Sequence, residues 1–238
     1  FSPEIGVGAA LLFWIWPAAY VELSTVEYGF RWLALVCGLV VLLMALRIAE
    51  PKEAQGRRIL DHLDWVALGG ALGIGWWCTP EIAYFAVPAI AMLVAGRVRR
   101  RFNTSILDVL GAFVSACLGA LPWLWYDVPN GFASLHERHH ATLTSAWAHL
   151  RILGIRTFPM VLGLRLQGSG RWIISAAVGR TLYAVALVGL AVVLVHLLRR
   201  HRAYPLLLFC VLAPIEFAVA PTASWSDGRY GTYFAPVI

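Results

Sequence analysis

Long apolar runs alternate with short charged intervals along most of this chain, and that alternation predicts its architecture. Apolar stretches cover residues 6–21, 28–46, 65–78, 82–95, 106–126, 181–198 and 205–221, and another opens at Tyr233. A helix crosses a bilayer with about 20 apolar residues. The pattern therefore predicts an all-α, polytopic transmembrane helical bundle with seven spans and the start of an eighth, in one domain over residues 1–238. Runs 65–78 and 82–95 are short for a crossing and are separated only by Thr79-Pro80-Glu81. They read as a tight hairpin of two thin or tilted spans, because basic loops flank both sides. Gly69 and Gly73 form a GxxxG pair, and Gly111, Ser115 and Gly119 a small-residue face; both let helices approach closely. Trp123, Trp125 and Tyr126 read as an aromatic belt at a span end.

One interval breaks the alternation. Residues 127–180 form the only long polar segment, with four of the seven histidines and six arginines. Within it Leu143, Ala146, Trp147, Leu150 and Leu153 fall on one helical stripe, with Thr142, Ser145, His149 and Arg156 largely opposite. The pattern predicts an interfacial helix over about 136–153, either a membrane-resting loop or a wall over a lipid-linked substrate.

Composition sharpens this picture. Charged residues make up 13% of the chain and mean hydropathy is +0.73, where a soluble domain carries about 25% charged residues. The net charge of +6 lies in short clusters between apolar runs, which is how a membrane protein fixes its orientation rather than how it binds nucleic acid. Cys37, Cys78, Cys117 and Cys210 form no CxxC pair and read as small packing residues. The chain starts at Phe1 without a methionine and stops as an apolar run begins, so it reads as an internal piece of a longer protein.

Lysine and arginine counts set the expected orientation. The short loops 47–61, 97–104 and 199–202 hold eleven, and the larger opposite side holds eight. The dense loops are expected on the cytoplasmic side of the cell membrane. That places Glu22 to Glu27, Glu81, residues 127–180 and Asp227 to Arg229 together outside.

Several residues there carry candidate chemistry. His136, His139 and His140 share a helical face, a spacing that would hold a metal if a carboxylate joined them. No second ligand cluster accompanies them, so divalent metal is an open possibility and no cofactor is assigned. Glu81 follows Pro80, where a carboxylate either starts the next helix electrostatically or serves a substrate site. Arg151 and Arg156 lie on the predicted interfacial helix. Arg229 and Tyr230, between Gly228 and Gly231, offer a rigid fork of donors for phosphate beside an interfacial anchor. Glu216 lies inside an apolar run, where an ionisable group is costly and is a functional candidate by default.

Three stretches carry a family resemblance. They are Gly69-Gly70-Ala71-Leu72-Gly73-Ile74-Gly75-Trp76-Trp77 through Thr79-Pro80-Glu81; the polar segment ending in Phe158-Pro159-Met160-Val161-Leu162-Gly163-Leu164; and Asp227-Gly228-Arg229-Tyr230 before Pro236. Together they resemble the bacterial integral-membrane glycosyltransferases of the GT-C class, in particular the protein-mannosyltransferase-like and RgtA/B/C/D-like group. The resemblance implies inverting transfer of a sugar from a polyprenyl-phosphate donor to an acceptor outside the cytoplasmic membrane. It implies Arg229 and Tyr230 near the donor site, with Glu27, Glu81, Arg151 and Arg156 as further substrate-binding candidates. The family's catalytic acidic residues lie in its first outside loop, which is not visible here, so the catalytic base is expected upstream of Phe1. The alternative function is a polytopic transporter or lipid flippase that uses Glu216.

Overall fold

The structure, a computed structural model, describes residues 31–49, 58–98, 104–136, 143–166, 170–199 and 204–219. The expected span at 6–21, the turns at 22–27 and 224–231, and the opening span at Tyr233 lie outside the described residues.

The described chain is helical, and its single β-bridge joins Arg165 to Trp172. Helix α1 (Arg31–Ala49) is followed by α2 (Arg58–Cys78), a 3-10 turn (Pro80–Ile82) and α3 (Ala83–Val98). Next come α4 (Ile106–Gly119), α5 (Leu121–Asp127) and the single turn α6 (Ala133–His136). The polar segment continues as α7 (Leu143–Ile152), a π turn (Leu153–Thr157) and α8 (Phe158–Val161). Helices α9 (Ala176–Arg199) and α10 (Tyr204–Val219) complete the order.

Among the described residues, three stretches are long and apolar enough to cross a membrane: Trp32–Ala49, Pro80–Val98 and Ala176–His196. A fourth arises if α4 and α5 are counted as one span. The run 106–126, expected as one span, forms two helices, α4 and α5, that meet at 66°. Gly119 ends α4, and Pro122 in the first turn of α5 has no N–H to continue the ladder. Helix α2 is longer than the expected 65–78 run. Its first turns are polar, with Arg58, Asp61, His62 and Asp64. The expected loops at 47–61 and 97–104 are partly helical too, since Arg47 and Arg97 lie in the last turns of α1 and α3.

Glycines set the packing. A Cβ on Gly69 would lie 1.9 Å from the Ala112 carbonyl oxygen, and one on Gly73 would lie 2.1 Å from that of Ala116. Only glycine fits, so the GxxxG pair brings α2 and α4 together in parallel. Helix α1 runs antiparallel to α2, with Cys37 beside Gly75 at one end and Arg47 beside Asp64 at the other. Phe85 of α3 is fully buried and presses on Gly38 of α1, where a Cβ would come within 2.3 Å. The core joins Leu35, Val41, Ile82, Phe85 and Met92 to Ala213 of α10 and Leu153 of the π turn. Between helices that face lipid, such a core is held by close van der Waals packing rather than by removal from water. Helix α9 stands apart: its membrane-length window is 6% buried, against 50% for α1.

The bundle thus has two distinct ends. One is charged. Arg47 Nη2 lies 3.1 Å from Asp64 Oδ1, and His62 Nδ1 lies 2.5 Å from Asp108 Oδ1. Asp108 also accepts from the Ser105 N–H at 2.8 Å and Ser105 Oγ accepts from the Leu107 N–H, a reciprocal cap on α4. The other end is aromatic. Trp76 meets Trp123 edge-on at 5.8 Å, and Trp123 meets Phe132 at 5.9 Å.

Candidate anion-binding site

The site grows out of one proline. Pro159 has no N–H for the Ile155 carbonyl, and the helix widens just before it into the π turn. The Phe158 N–H consequently donates to Leu153 O, five residues back. In an α-helix that N–H would have gone to Gly154 O. The Gly154 carbonyl instead accepts from the Tyr183 hydroxyl of α9 at 2.5 Å. The π turn therefore docks the polar segment onto α9, which otherwise packs only lightly, against α10.

Just past the end of α8, Gly163 adopts φ 69° and the Leu164 N–H reaches back to Pro159 O at 2.8 Å. The chain then turns through a small hairpin. Ile173 N–H donates to Leu164 O at 3.1 Å, and Leu166 N–H to Arg171 O at 2.8 Å. Trp172 packs on Gly179 of α9, where a Cβ would lie 2.3 Å from the indole. The Arg165 guanidinium lies over that indole, 4.3 Å from the ring centroid, a cation–π contact. Arg156, from the π turn, approaches the hairpin at Gly170, where a Cβ would lie 3.7 Å from its Nε.

Arg156 and Arg165 thus both reach this elbow, and Arg171 lies on its hairpin. Arg165 Nε is buried with no acceptor among the described residues. No Asp or Glu occurs in the sequence between Glu137 and Glu216, so the segment carries no carboxylate of its own to neutralise these cations. Arginine offers planar donors that match a phosphate or carboxylate, and stacking on Trp172 fixes the plane of one. The arrangement can hold an anion.

Helix α7 meets the bundle through an unexpected face. His149, assigned by periodicity to the polar side, is buried, and its Nδ1 lies 2.9 Å from Ala218 O near the end of α10. A terminal carbonyl there lacks an intrahelical donor, and the imidazole N–H supplies one. Trp147, assigned to the membrane or bundle side, is 72% exposed in the folded chain. The expected helix is present over residues 143–152, but its packed face is the one that carries His149.

Other sequence candidates separate from this elbow. Arg151 is exposed on α7, five residues before Arg156. Glu81 lies in the 3-10 turn that leads into α3, and its N–H donates to Thr79 Oγ1 at 3.4 Å. That is a helix-start position. Glu27, Arg229 and Tyr230 lie outside the described residues, as do His139 and His140, and His136 ends the short α6. Among the described residues no three metal-ligating side chains cluster. Glu216 of α10 is half-buried, and neither carboxylate oxygen has a hydrogen-bond partner among the described residues.

Asp127, a fully buried carboxylate, is engaged locally. It accepts from both the hydroxyl and the N–H of Ser134, and Ser134 Oγ in turn accepts from Trp123 Nε1 at 3.2 Å. This ties down the turn in which Gly131 and Phe132 adopt φ values of 63° and 59°.

Sequence reasoning did not single out Arg165 and Trp172. Their pairing depends on the bridge across the hairpin. The available signals were the glycines at 163, 168 and 170 and the run of arginines without carboxylates. No protein-family profile, curated protein or solved structure matches this chain.

Proposed function

We propose that this chain is the membrane part of a GT-C-like glycosyltransferase that moves a sugar from a polyprenyl-phosphate donor to an extracytoplasmic acceptor. The supporting observation is the arginine elbow, with Arg165 stacked on Trp172 and its Nε without an acceptor. In this reading the charged end faces the cytoplasm, since dense basic loops stay inside, and the elbow lies outside. The protein is multi-pass in the cytoplasmic membrane, with seven spans and the start of an eighth, and α7 lies at the outer interface.

The chemistry assigned to the elbow is electrostatic. When the sugar–phosphate bond breaks, negative charge grows on the leaving phosphate, and fixed cations lower the energy of that state. Arg156 and Arg165 fill this role, and Arg229 with Tyr230 joins them through the family resemblance. Stacking and hairpin hydrogen bonds hold the Arg165 fork before the donor arrives, so little reorganisation accompanies the reaction. The catalytic base is not assigned to any residue here.

Transfer from a radiolabelled polyprenyl-phosphate sugar in membranes tests this reading. Arg165→Ala is expected to raise the donor KM roughly 10- to 100-fold, as for one lost charged hydrogen bond. Unchanged kinetics would remove the elbow from the donor site. The second reading, a transporter or flippase, is favoured by one observation, the unpartnered carboxylate of Glu216. It predicts lipid or solute movement in proteoliposomes that Glu216→Gln abolishes, without sugar transfer.

A further inference from the structure

A groove of about 510 Å3 opens at the charged end, between α2, the last turn of α3 and the start of α4. Its volume falls in the range of small-ligand sites, roughly 300–1,000 Å3. Its walls are apolar, with Trp65, Val94, Val98 and Ile106 among them. Arg97 and Thr104 line the same groove. Arg97 is exposed and makes no ion pair among the described residues, unlike its neighbours Arg47 and His62.

The groove's place in the fold points to its occupant. It flanks the last turn of the membrane-length stretch Pro80–Val98, where hydrocarbon gives way to headgroups. Val98 and Ile106 are 76% and 75% exposed, and apolar side chains at that depth face acyl chains. A tryptophan suits the same depth, with its ring in hydrocarbon and its N–H toward water. A free arginine beside an acyl-sized groove complements a negative headgroup. A protein helix would meet the cation without a matching charge supplied by this chain. We infer that this groove is a binding site for one anionic phospholipid, with an acyl chain along Trp65, Val94 and Ile106 and its phosphate at Arg97.

This inference does not rest on the glycosyltransferase reading. Native mass spectrometry of the full chain released from detergent micelles tests it, with phosphatidylglycerol and phosphatidylcholine of identical acyl chains as probes. The protein is expected to retain phosphatidylglycerol preferentially. Arg97→Gln should cut that preference about fivefold, as for one interfacial cation, and lower phosphatidylcholine retention less, because its choline offsets the phosphate charge. Val98→Trp, at an exposed position that leaves the core intact, should reduce retention of both lipids. Melting temperatures equal to the parent's establish that both variants fold. An unchanged lipid preference in Arg97→Gln, or full retention in Val98→Trp, would overturn the inference. Displacement of the lipid by glycerol phosphate alone would overturn it as well, since the acyl chain would then contribute nothing.

Discussion

The charged end of the bundle and the arginine elbow handle cations in opposite ways. At the charged end, Asp64 and Asp108 are buried, and each meets a cation or imidazole from a neighbouring segment. Those carboxylates cost free energy to desolvate and recover it through partners and caps, so the pairs serve assembly. At the elbow, Arg156, Arg165 and Arg171 gather in a stretch that contains no carboxylate from residue 138 to 215. There Arg165 Nε is buried without an acceptor among the described residues. Substitutions should therefore damage folding at one end and anion binding at the other.

The largest effect is expected where both ends depend on one contact. Gly73→Leu drives a side chain into the Ala116 carbonyl and should cost about 3 kcal/mol or more. Loss of the folded band in detergent gel filtration would show it. A folded, active variant would mean that the α2–α4 crossing is not as close as described.

Arg165→Ala comes next and sharpens the contrast. Donor affinity should fall roughly 10- to 100-fold, while the melting temperature in detergent stays close to the parent's. An equal loss of stability would make Arg165 a structural residue like those at the charged end. Asp108→Ala should show the mirror image. It removes the helix cap and the His62 partner together and should cost about 1–2 kcal/mol in thermal or denaturant unfolding. Donor KM should not change. The smallest effect belongs to Arg47→Ala. Its side chain is 47% exposed, so the pair is worth under about 1 kcal/mol. Even that difference should shrink in high salt.

How far these features were legible in the sequence follows from their range. Hydropathy found the apolar runs, and the GxxxG spacing marked a close helix approach without naming its partner, because both are local patterns. The 106–126 run hid its break, since Gly119 and Pro122 are also tolerated inside membrane helices. The polar start of α2 was hidden for a different reason. Asp64 is buried there opposite Arg47, and hydropathy along the chain cannot see a partner from another helix. The packing of α7 through His149 was hidden on the same ground, since His149 is buried to reach Ala218 on α10. Arg165 and Trp172 face each other only after the hairpin closes, so no periodicity could pair them.

Helix α9 extends the comparison. It is apolar along its length yet almost unpacked, and the π turn and hairpin fasten it at its first turns through Tyr183 and Gly179. The elbow is thus the hinge between the packed bundle and a helix whose surface suits lipid. A lipid-linked anion would find both its charge partner and an apolar flank there.

Binding of polyprenyl phosphate and of the uncharged polyprenol to the parent protein and to Arg165→Ala tests the central claim most directly. The account predicts that the parent binds the phosphate roughly 10- to 100-fold more tightly than the alcohol. Arg165→Ala should lose most of that preference and keep its affinity for the alcohol. Equal phosphate preference in the two proteins would contradict it.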